Sequence, residues 1–385
     1  MIGLAAITTL LRGLHLAACL SLLGGAGFIA WMLPAGVVPA AGVVAERLAP
    51  RLRLVCLVSG VVALLAGAAW FVLEAAAMAG ADTLAGAIDV LPVVALHTRF
   101  GRVLMARLGL LLAAVVLVAV RPGTLLAPRP GTLEAANAPR QGAARGRLHG
   151  VIILTAVALS LEGLIGHAGA TAGVVGEGLV LSETLHLVAA GIWLGALPSL
   201  WFSLRVLAPQ AAAAVCERFS PIGLGCVVLL AGTGLAQGMQ LIGSLPALFG
   251  TRYGHIALLK ITLFLVALML AAVNRLWLTD RLAADAPGAA RRLRVSVLIE
   301  TGIGVAIVAA AVFMAASPPA DESTPVWPFA PGLITNPVLW RWVAVGAAPA
   351  LLGAALLWRR WRPADDNHGG WHPHEPDQPS ERRIK

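Results

Sequence analysis

The chain has 385 residues, of which 59% are hydrophobic and only 12% are charged. Soluble domains carry about 25% charged residues, so this composition excludes an ordinary water-soluble fold and indicates that lipid is the solvent. The formal net charge of +9 comes mostly from arginine. Because these arginines stand in short clusters between apolar runs, as cytoplasmic loops of membrane proteins require, we do not expect the chain to bind nucleic acid.

Long apolar runs dominate the chain from its first residues onward. A run of about 20 apolar residues is long enough to cross the hydrocarbon as an α-helix. Nine such helices are predicted, at residues 5–33, 53–78, 101–120, 148–170, 179–204, 219–243, 254–278, 294–316 and 338–358. The predicted fold class is therefore all-α, a polytopic membrane helical bundle. The stretch 80–98, which contains Asp89 and Pro92, is predicted to be a loop or an interfacial helix.

Arginine clusters alternate with nearly uncharged loops, which predicts the orientation. The clusters lie in residues 47–53, 121–147, 205–218, 275–294 and 359–362. The positive-inside rule assigns these segments to the cytoplasm, with the N-terminus outside and the C-terminus in the cytoplasm. We expect a multi-pass membrane protein. The first apolar run lacks a preceding basic region, so it is predicted to be a mature helix rather than a signal peptide.

Three sequence matches recur in the same order, four helices apart. They are Thr98-Arg99-Phe100-Gly101-Arg102 with Thr251-Arg252-Tyr253-Gly254-His255, Leu14-His15-Leu16 with Leu185-His186-Leu187, and Leu64-Leu65-Ala66-Gly67 with Leu229-Leu230-Ala231-Gly232. A glycine follows each matched histidine by nine residues, at Gly24 and Gly195. The alternative is chance similarity in an apolar chain. The matches predict two parallel four-helix repeats, a pattern common in transporters.

These repeats define the predicted domains. They are residues 1–170 for the first four-helix repeat, 171–316 for the second, 317–362 for an outer loop and the ninth helix, and 363–385 for a disordered, His-containing cytoplasmic tail.

Histidines inside a membrane are functional candidates because ionisable groups are costly there. Five of the nine histidines are predicted to lie toward the outer side, and neutral imidazole is a ligand that suits copper. Glu183 lies three residues before His186, so the two share a helical face. The predicted metal ligands are His167, His186, His15, His97, Glu183 and Met239. The alternatives are histidines satisfied by hydrogen bonds in the core and a methionine that only fills space.

Three further charges fall inside predicted spans. With a rise of 1.5 Å per residue, Glu162, Arg107 and Lys260 lie at similar depths, roughly 10 Å below the outer surface. Buried cations need partners, so Glu162 or Glu183 is predicted to pair with Lys260 or Arg107.

Several of these segments together resemble the copper resistance protein D family of bacterial inner-membrane proteins. They are Thr98-Arg99-Phe100-Gly101-Arg102 with Arg107, Gly166-His167-Ala168, Leu185-His186-Leu187 through Trp193-Leu194-Gly195, Arg218-Phe219-Ser220, Thr251-Arg252-Tyr253-Gly254 with Lys260, and Asn274-Arg275. The resemblance covers about residues 5–316. It implies copper homeostasis, with copper ion as the bound species and a small periplasmic partner of the copper resistance protein C type. Position 255 is His where the family pattern has Arg.

Three hypotheses follow for the function. The first is a permease that moves copper inward across the membrane; no G-x-x-x-x-G-K-[ST] motif occurs, so ATP is not a direct driver and the protein is not expected to be an enzyme. The second is a b-type cytochrome, an electron carrier in which His15 and His186 ligate haem iron. The third is a structural or assembly protein that responds to copper stress without binding the ion.

Overall fold

The computed structural model describes residues 3–33, 43–81, 84–120, 134–320 and 322–325, and its regular structure is helical throughout these ranges. The α-helices are α1 (Leu4–Gly27), α2 (Val43–Ala79), α3 (Leu84–His97), α4 (Arg99–Ala119), α5 (Glu134–Ser160), α6 (His167–Ala170), α7 (Gly173–Trp193), α8 (Leu197–Ser203), α9 (Pro209–Leu241), α10 (Leu245–Gly250), α11 (Arg252–Val273), α12 (Thr279–Ala283) and α13 (Ala289–Ala315).

Several of these helices run on through short segments of different pitch. π-helical segments follow α1 at Phe28–Met32 and α11 at Asn274–Leu278, and 3-10 segments follow α5 at Leu161–Leu164 and α7 at Leu194–Ala196.

Eight helical stretches in the described part of the chain are long and apolar enough to cross a membrane. They are Leu4–Met32, Glu46–Ala79, Arg99–Ala119, Gly146–Leu164, Gly173–Ser203, Pro209–Leu241, Arg252–Ala283 and Ala289–Ala315. The predicted all-α polytopic membrane fold is confirmed. The predicted ninth helix at 338–358 and the tail at 363–385 lie outside the described residues.

Two sequence boundaries differ in the structure. The fourth span ends at Leu164 rather than at residue 170, and a separate short helix, α6, follows it. Three glycines in this stretch, Gly163, Gly166 and Gly169, weaken helix propagation there. Within the stretch 80–98, predicted to be a loop or an interfacial helix, the structure has the helix α3 (Leu84–His97), which is too short to span the hydrocarbon.

The first helix lies at the centre of the bundle and contacts α2, α5, α7 and α13. Its tightest contact joins the two glycines that follow the matched histidines. A Cβ atom built on Gly24 would lie 2.1 Å from the carbonyl carbon of Gly195, and one built on Gly195 would lie 1.9 Å from the oxygen of Leu20. Small residues of this kind let helices in lipid approach backbone to backbone. The two predicted repeats therefore meet at this pair of glycines.

The two T-R-[FY]-G segments form the same helix cap. Thr98 precedes α4 and Thr251 precedes α11, both in extended conformation, and each hydroxyl accepts a hydrogen bond from the amide of the residue three positions later, at 2.9 and 3.0 Å. Each hydroxyl also donates to a carbonyl four residues earlier. This shared geometry supports the predicted duplication, which stays a prediction.

Removing either cap is expected to destabilise the bundle modestly. Thr251→Ala should lower the free energy of unfolding by about 1 kcal/mol, because an N-cap hydroxyl satisfies an otherwise unpaired amide. The measurement is denaturation of the purified protein in detergent. Thr262→Ala is the control, since that hydroxyl is exposed and bonds only within its own helix, to Leu258. Equal losses in both variants would contradict a capping role.

Candidate functional site

A cavity of about 130 Å³ lies between α1, α7, α9, α11 and α13, toward the side of the bundle at which α1 begins. We call it the central cavity and that side the N-terminal side. Its polar lining consists of Arg12, Glu162, Glu183, His186, Gln237 and Lys260. Helical periodicity builds this lining, because residues four apart share a face. Arg12, Leu16 and Leu20 form one wall of it, on α1.

The most buried charges form a cluster beside this cavity, which we call the Glu162 cluster. Glu162, only 5% exposed, accepts hydrogen bonds from Arg12 Nε at 3.1 Å and Arg12 Nη2 at 2.7 Å. Its second carboxylate oxygen accepts from Nη1 of Arg107, which is completely buried. The guanidinium of Arg12 also lies 5.4 Å from the centroid of the Trp70 ring, a cation–π distance. One carboxylate therefore holds two arginines from two other helices.

The structure thus brings Glu162 and Arg107 together and adds Arg12, a residue that the sequence analysis missed. The signal was present, because Arg12 is a charge inside the first apolar run. Lys260 belongs to the central cavity rather than to the Glu162 cluster. It lines the wall on α11, in the same cavity as Glu183 of α7.

His186 is oriented by a hydrogen-bond network between α7 and α9. The Thr233 hydroxyl donates to the Leu229 carbonyl at 2.7 Å, so it accepts from His186 Nδ1 at 2.9 Å. Nε2 is then unprotonated, and its lone pair could coordinate a cation in the cavity. An imidazole whose second nitrogen is fixed in this way has the arrangement common in metal sites. Glu183 lines the same cavity one helical turn away.

Three other predicted ligands, His15, His97 and Met239, lie away from this cavity. His15 is fully buried against α2, with Nδ1 2.7 Å from the Ala63 carbonyl oxygen and Nε2 3.8 Å from Cys19 Sγ. His97 is exposed at the end of α3, and the Met239 side chain is 67% exposed. His167 begins α6, and its side chain lies outside the described residues.

The described ranges contain no group of three or more His, Cys, Asp and Glu side chains arranged to hold a metal ion. Of the predicted ligands whose side chains the structure describes, Glu183 and His186 line the central cavity.

Three cavities lie in the bundle, two on its N-terminal side and one in the opposite half. The mouth cavity, about 310 Å³, lies on the N-terminal side and is lined by Thr8, Thr9, Arg12, Trp70, Glu74, Met78, Phe100 and Ile165, among others. The central cavity lies beside it and shares Arg12, Val312 and Ala315 with it. The far cavity, about 260 Å³, lies in the opposite half and contains Glu300. Each cavity is thus lined by at least one carboxylate.

Trp193 and its neighbour Leu194 line different cavities. Trp193 lines the far cavity, whereas Leu194 lines the central one. The Trp193 ring packs edge to face against Phe264, with centroids 6.0 Å apart. Phe264 lies between Lys260 of the central cavity and Leu268 of the far cavity on α11. This aromatic pair therefore lies at the level between the two cavities.

The spanning helices enclose cavities that are lined by ionisable side chains. These features define a polytopic helical membrane protein. Residues 1–177 match the family described as "Copper resistance protein D-like, N-terminal domain", and residues 213–314 match the family described as "Copper resistance protein D". The chain belongs to the copper resistance protein D family.

Two named relatives are similar over part of the chain. The "Copper transport protein CutJ" of Bacillus subtilis (strain 168) is 34% identical over 152 residues, which cover 38% of this chain and 27% of that protein. The "Inner membrane protein YebZ" of Escherichia coli (strain K12) is 25% identical over 216 residues, which cover 55% of this chain and 67% of that protein. The chain thus spans about a quarter of the Bacillus subtilis relative. No solved structure matches the chain.

Proposed function

We propose that the protein binds copper on the N-terminal side of the bundle and moves it across the bacterial inner membrane toward the cytoplasm. The observation that carries this proposal is that cavities in both halves of the bundle are each lined by a buried or half-buried carboxylate, Glu74, Glu162 and Glu183 on the N-terminal side and Glu300 in the opposite half. Family membership and the printed name of the Bacillus subtilis relative support copper as the cargo. The positive-inside rule supports a periplasmic N-terminal side.

The mouth cavity is where we place the first contact with the ion. Glu74 and Met78 both line it, and the Met78 side chain is 53% exposed. A thioether is a soft ligand suited to Cu(I). A periplasmic copper-binding protein of the copper resistance protein C type would deliver its ion at this opening.

In the central cavity we assign Glu183 and His186 as ligands. Both line the cavity, and the hydrogen bond to Thr233 fixes the ring so that Nε2 is available. Lys260 lines the same cavity, and its ammonium would repel a copper ion there. Replacing Lys260 by methionine would remove that repulsion, and we expect tighter copper binding.

Uptake of copper into vesicles that contain the purified protein tests the proposal. His186→Ala and Glu183→Gln should each lower uptake at least about tenfold, the effect seen even when outer partners of metal ligands are removed. His149→Ala is the matched control, because His149 is exposed near the start of the fourth span, at the opposite end from the central cavity. Uptake that is equal in all three variants and the wild type would overturn the assignment.

The bis-His haem alternative finds no support in the described contacts. His15 bonds the Ala63 carbonyl through one ring nitrogen and lies beside Cys19 with the other, on the α2 side of α1. We therefore expect a colourless purified protein. A visible haem band that disappears in His15→Ala would reverse this conclusion.

A further inference from the structure

The far cavity holds a buried carboxyl group that has no counter-charge. Glu300 of α13 is 3% exposed, and it forms no ion pair within the described residues. Glu162, in the other half of the bundle, is similarly buried but holds two arginines. A carboxylate that is buried without such a partner is costly, and it usually becomes neutral by binding a proton.

The side chains that line the far cavity offer Glu300 no positive partner. Cys216 of α9 and Arg275 of the π-helical segment after α11 are the other titratable or charged residues in this lining, and Arg275 is exposed. The lining residues of α7, α8, α11 and α12 are uncharged. Glu300 is thus surrounded mostly by apolar side chains.

Other charged or titratable side chains of the helices around α13 are exposed, line the central cavity or have partners of their own. The exposed ones are Glu217, Arg218, Asp280 and Arg281. Those of the central cavity are Arg12, Glu183, His186 and Lys260. His15 bonds the Ala63 carbonyl beside Cys19, and Arg294 of α13 itself bonds the Leu204 carbonyl.

Asn274 is the hydrogen-bond partner of Glu300, and the pair is one proton short. Nδ2 of Asn274 donates to Oε1 of Glu300. Oδ1 of Asn274 is buried without a hydrogen-bond partner in the structure. A protonated carboxyl group has an O–H donor, which an ionised carboxylate lacks. With a proton on Oε2, Glu300 would donate to Oδ1, and the acid and the amide would share two hydrogen bonds.

The π-helical turn holds Asn274 in place. The Thr279 hydroxyl donates to the Asn274 carbonyl at 2.9 Å. Such turns inside longer helices occur frequently at functional sites. Nδ2 of Asn274 can donate to Glu300 with or without the proton, so Asn274 is a positioning residue that holds the carboxyl group in both states.

We propose that Glu300 and Asn274 form a proton-binding site, and that this site couples the movement of copper to a proton gradient. At rest the carboxyl group is neutral. On release, the O–H bond of Glu300 breaks and the proton passes to water in the far cavity; binding reverses this step. Acidic side chains inside transporters form proton relays of this kind. The coupling rests on the proposed function, whereas the protonation of Glu300 does not.

The far cavity gives this proton a route to and from the carboxyl group. Its volume of about 260 Å³ is ample for water, which needs roughly 10–15 Å³ of such space per molecule. Ser220 and Thr279 line it with hydroxyl groups, and the exposed Arg275 brings it close to the surface of the bundle.

Infrared spectra of the purified full chain, recorded over a pH series, test the protonation. At neutral pH the wild type should show the C=O band of a protonated carboxyl group, and Glu300→Gln should lose it. Glutamine offers Asn274 both an acceptor and a donor, so this variant should fold. Asn274→Ala should shift the band without removing it, because both hydrogen bonds are lost. Glu217→Gln is the matched control, since Glu217 is an exposed carboxylate beside Cys216.

Copper uptake into vesicles, with and without an imposed proton gradient, tests the coupling. The gradient should accelerate uptake by the wild type and by Glu217→Gln. Glu300→Gln should take up copper at the same rate in both conditions, because it has no proton to bind or release at this position. A proton ionophore should bring the wild type to its rate without the gradient.

The outcomes separate this inference from the proposed function. If Glu300→Gln keeps the full carboxylic-acid band of the wild type, Glu300 is ionised and the proton site is overturned. If the band depends on Glu300 but the gradient accelerates both proteins equally, the coupling is wrong. If the wild type moves no copper while the band still depends on Glu300, the proposed function and the coupling fail and the proton site stands.

Discussion

Glu162→Gln is expected to lower the free energy of unfolding by about 3–5 kcal/mol, the cost of breaking a buried ion pair by removing one partner. The carboxylate of Glu162 accepts from both Arg12 and Arg107. Arg107 is completely buried, and only its Nη1 atom is hydrogen-bonded, to Glu162, while Nε and Nη2 have no hydrogen-bond partner in the structure. The substitution therefore leaves a cation without a counter-charge inside the hydrocarbon, where such a charge is most costly.

Denaturation of the purified protein in detergent measures this loss. Glu177→Gln is the matched control, because Glu177 lies on the exposed surface of α7 and its charge is solvated. The double variant Glu162→Gln with Arg107→Met should recover much of the loss, since replacing a buried pair by apolar side chains is often neutral or stabilising. A double variant that is less stable than Glu162→Gln would show that Arg107 stabilises the fold through other contacts.

Gly195→Ala is expected to have the second largest effect, at least about 1–3 kcal/mol, which is typical of overpacking in a dense core. The new methyl group would lie 1.9 Å from the Leu20 carbonyl oxygen, and backbone cannot give way as a side chain can. α1 would have to move away from the 3-10 segment after α7. Arg12, Leu16 and Leu20 would move with it, so the central cavity would also change shape.

Two measurements check this prediction. Thermal unfolding should show the loss in Gly195→Ala and in Gly24→Ala, which faces it. Copper uptake into vesicles should fall in the same variants. Gly232→Ala on α9 is the control, because a Cβ atom there meets nothing within 4 Å. Such a substitution in a helix should be neutral or slightly stabilising. Wild-type stability in Gly195→Ala would mean that the two backbones do not approach this closely.

Much of this architecture was predictable from the sequence because depth in a membrane follows from position along a helix. The eight described spans and the similar depth of Glu162 and Arg107 follow from apolar run length and rise per residue. The direction in which a side chain points around its helix does not follow in this way. His15 lies at a favourable depth but packs against α2, whereas Arg12, three residues earlier, reaches the central cavity.

The far cavity was not predicted, for a related physical reason. Cys216 reads in sequence as a small buried apolar residue, and Glu300 as an isolated charge. Only the packing of α9 and α13 beside the π-helical segment brings Cys216, Glu300 and Asn274 to one cavity. The widened turn at Asn274 also leaves no clear signature in the apolar pattern, because the residues after it continue the helix.

The two arginines bound to Glu162 differ in what their departure would cost. Arg12 lines two cavities and rests against an indole, so it could turn toward the mouth while Arg107 keeps the carboxylate neutralised. Arg107 is completely buried, so its side chain has no room to turn away from the carboxylate. The cluster thus combines one fully enclosed arginine with one whose side chain borders two cavities. If Arg12 left the carboxylate, Glu162 would still keep the counter-charge of Arg107.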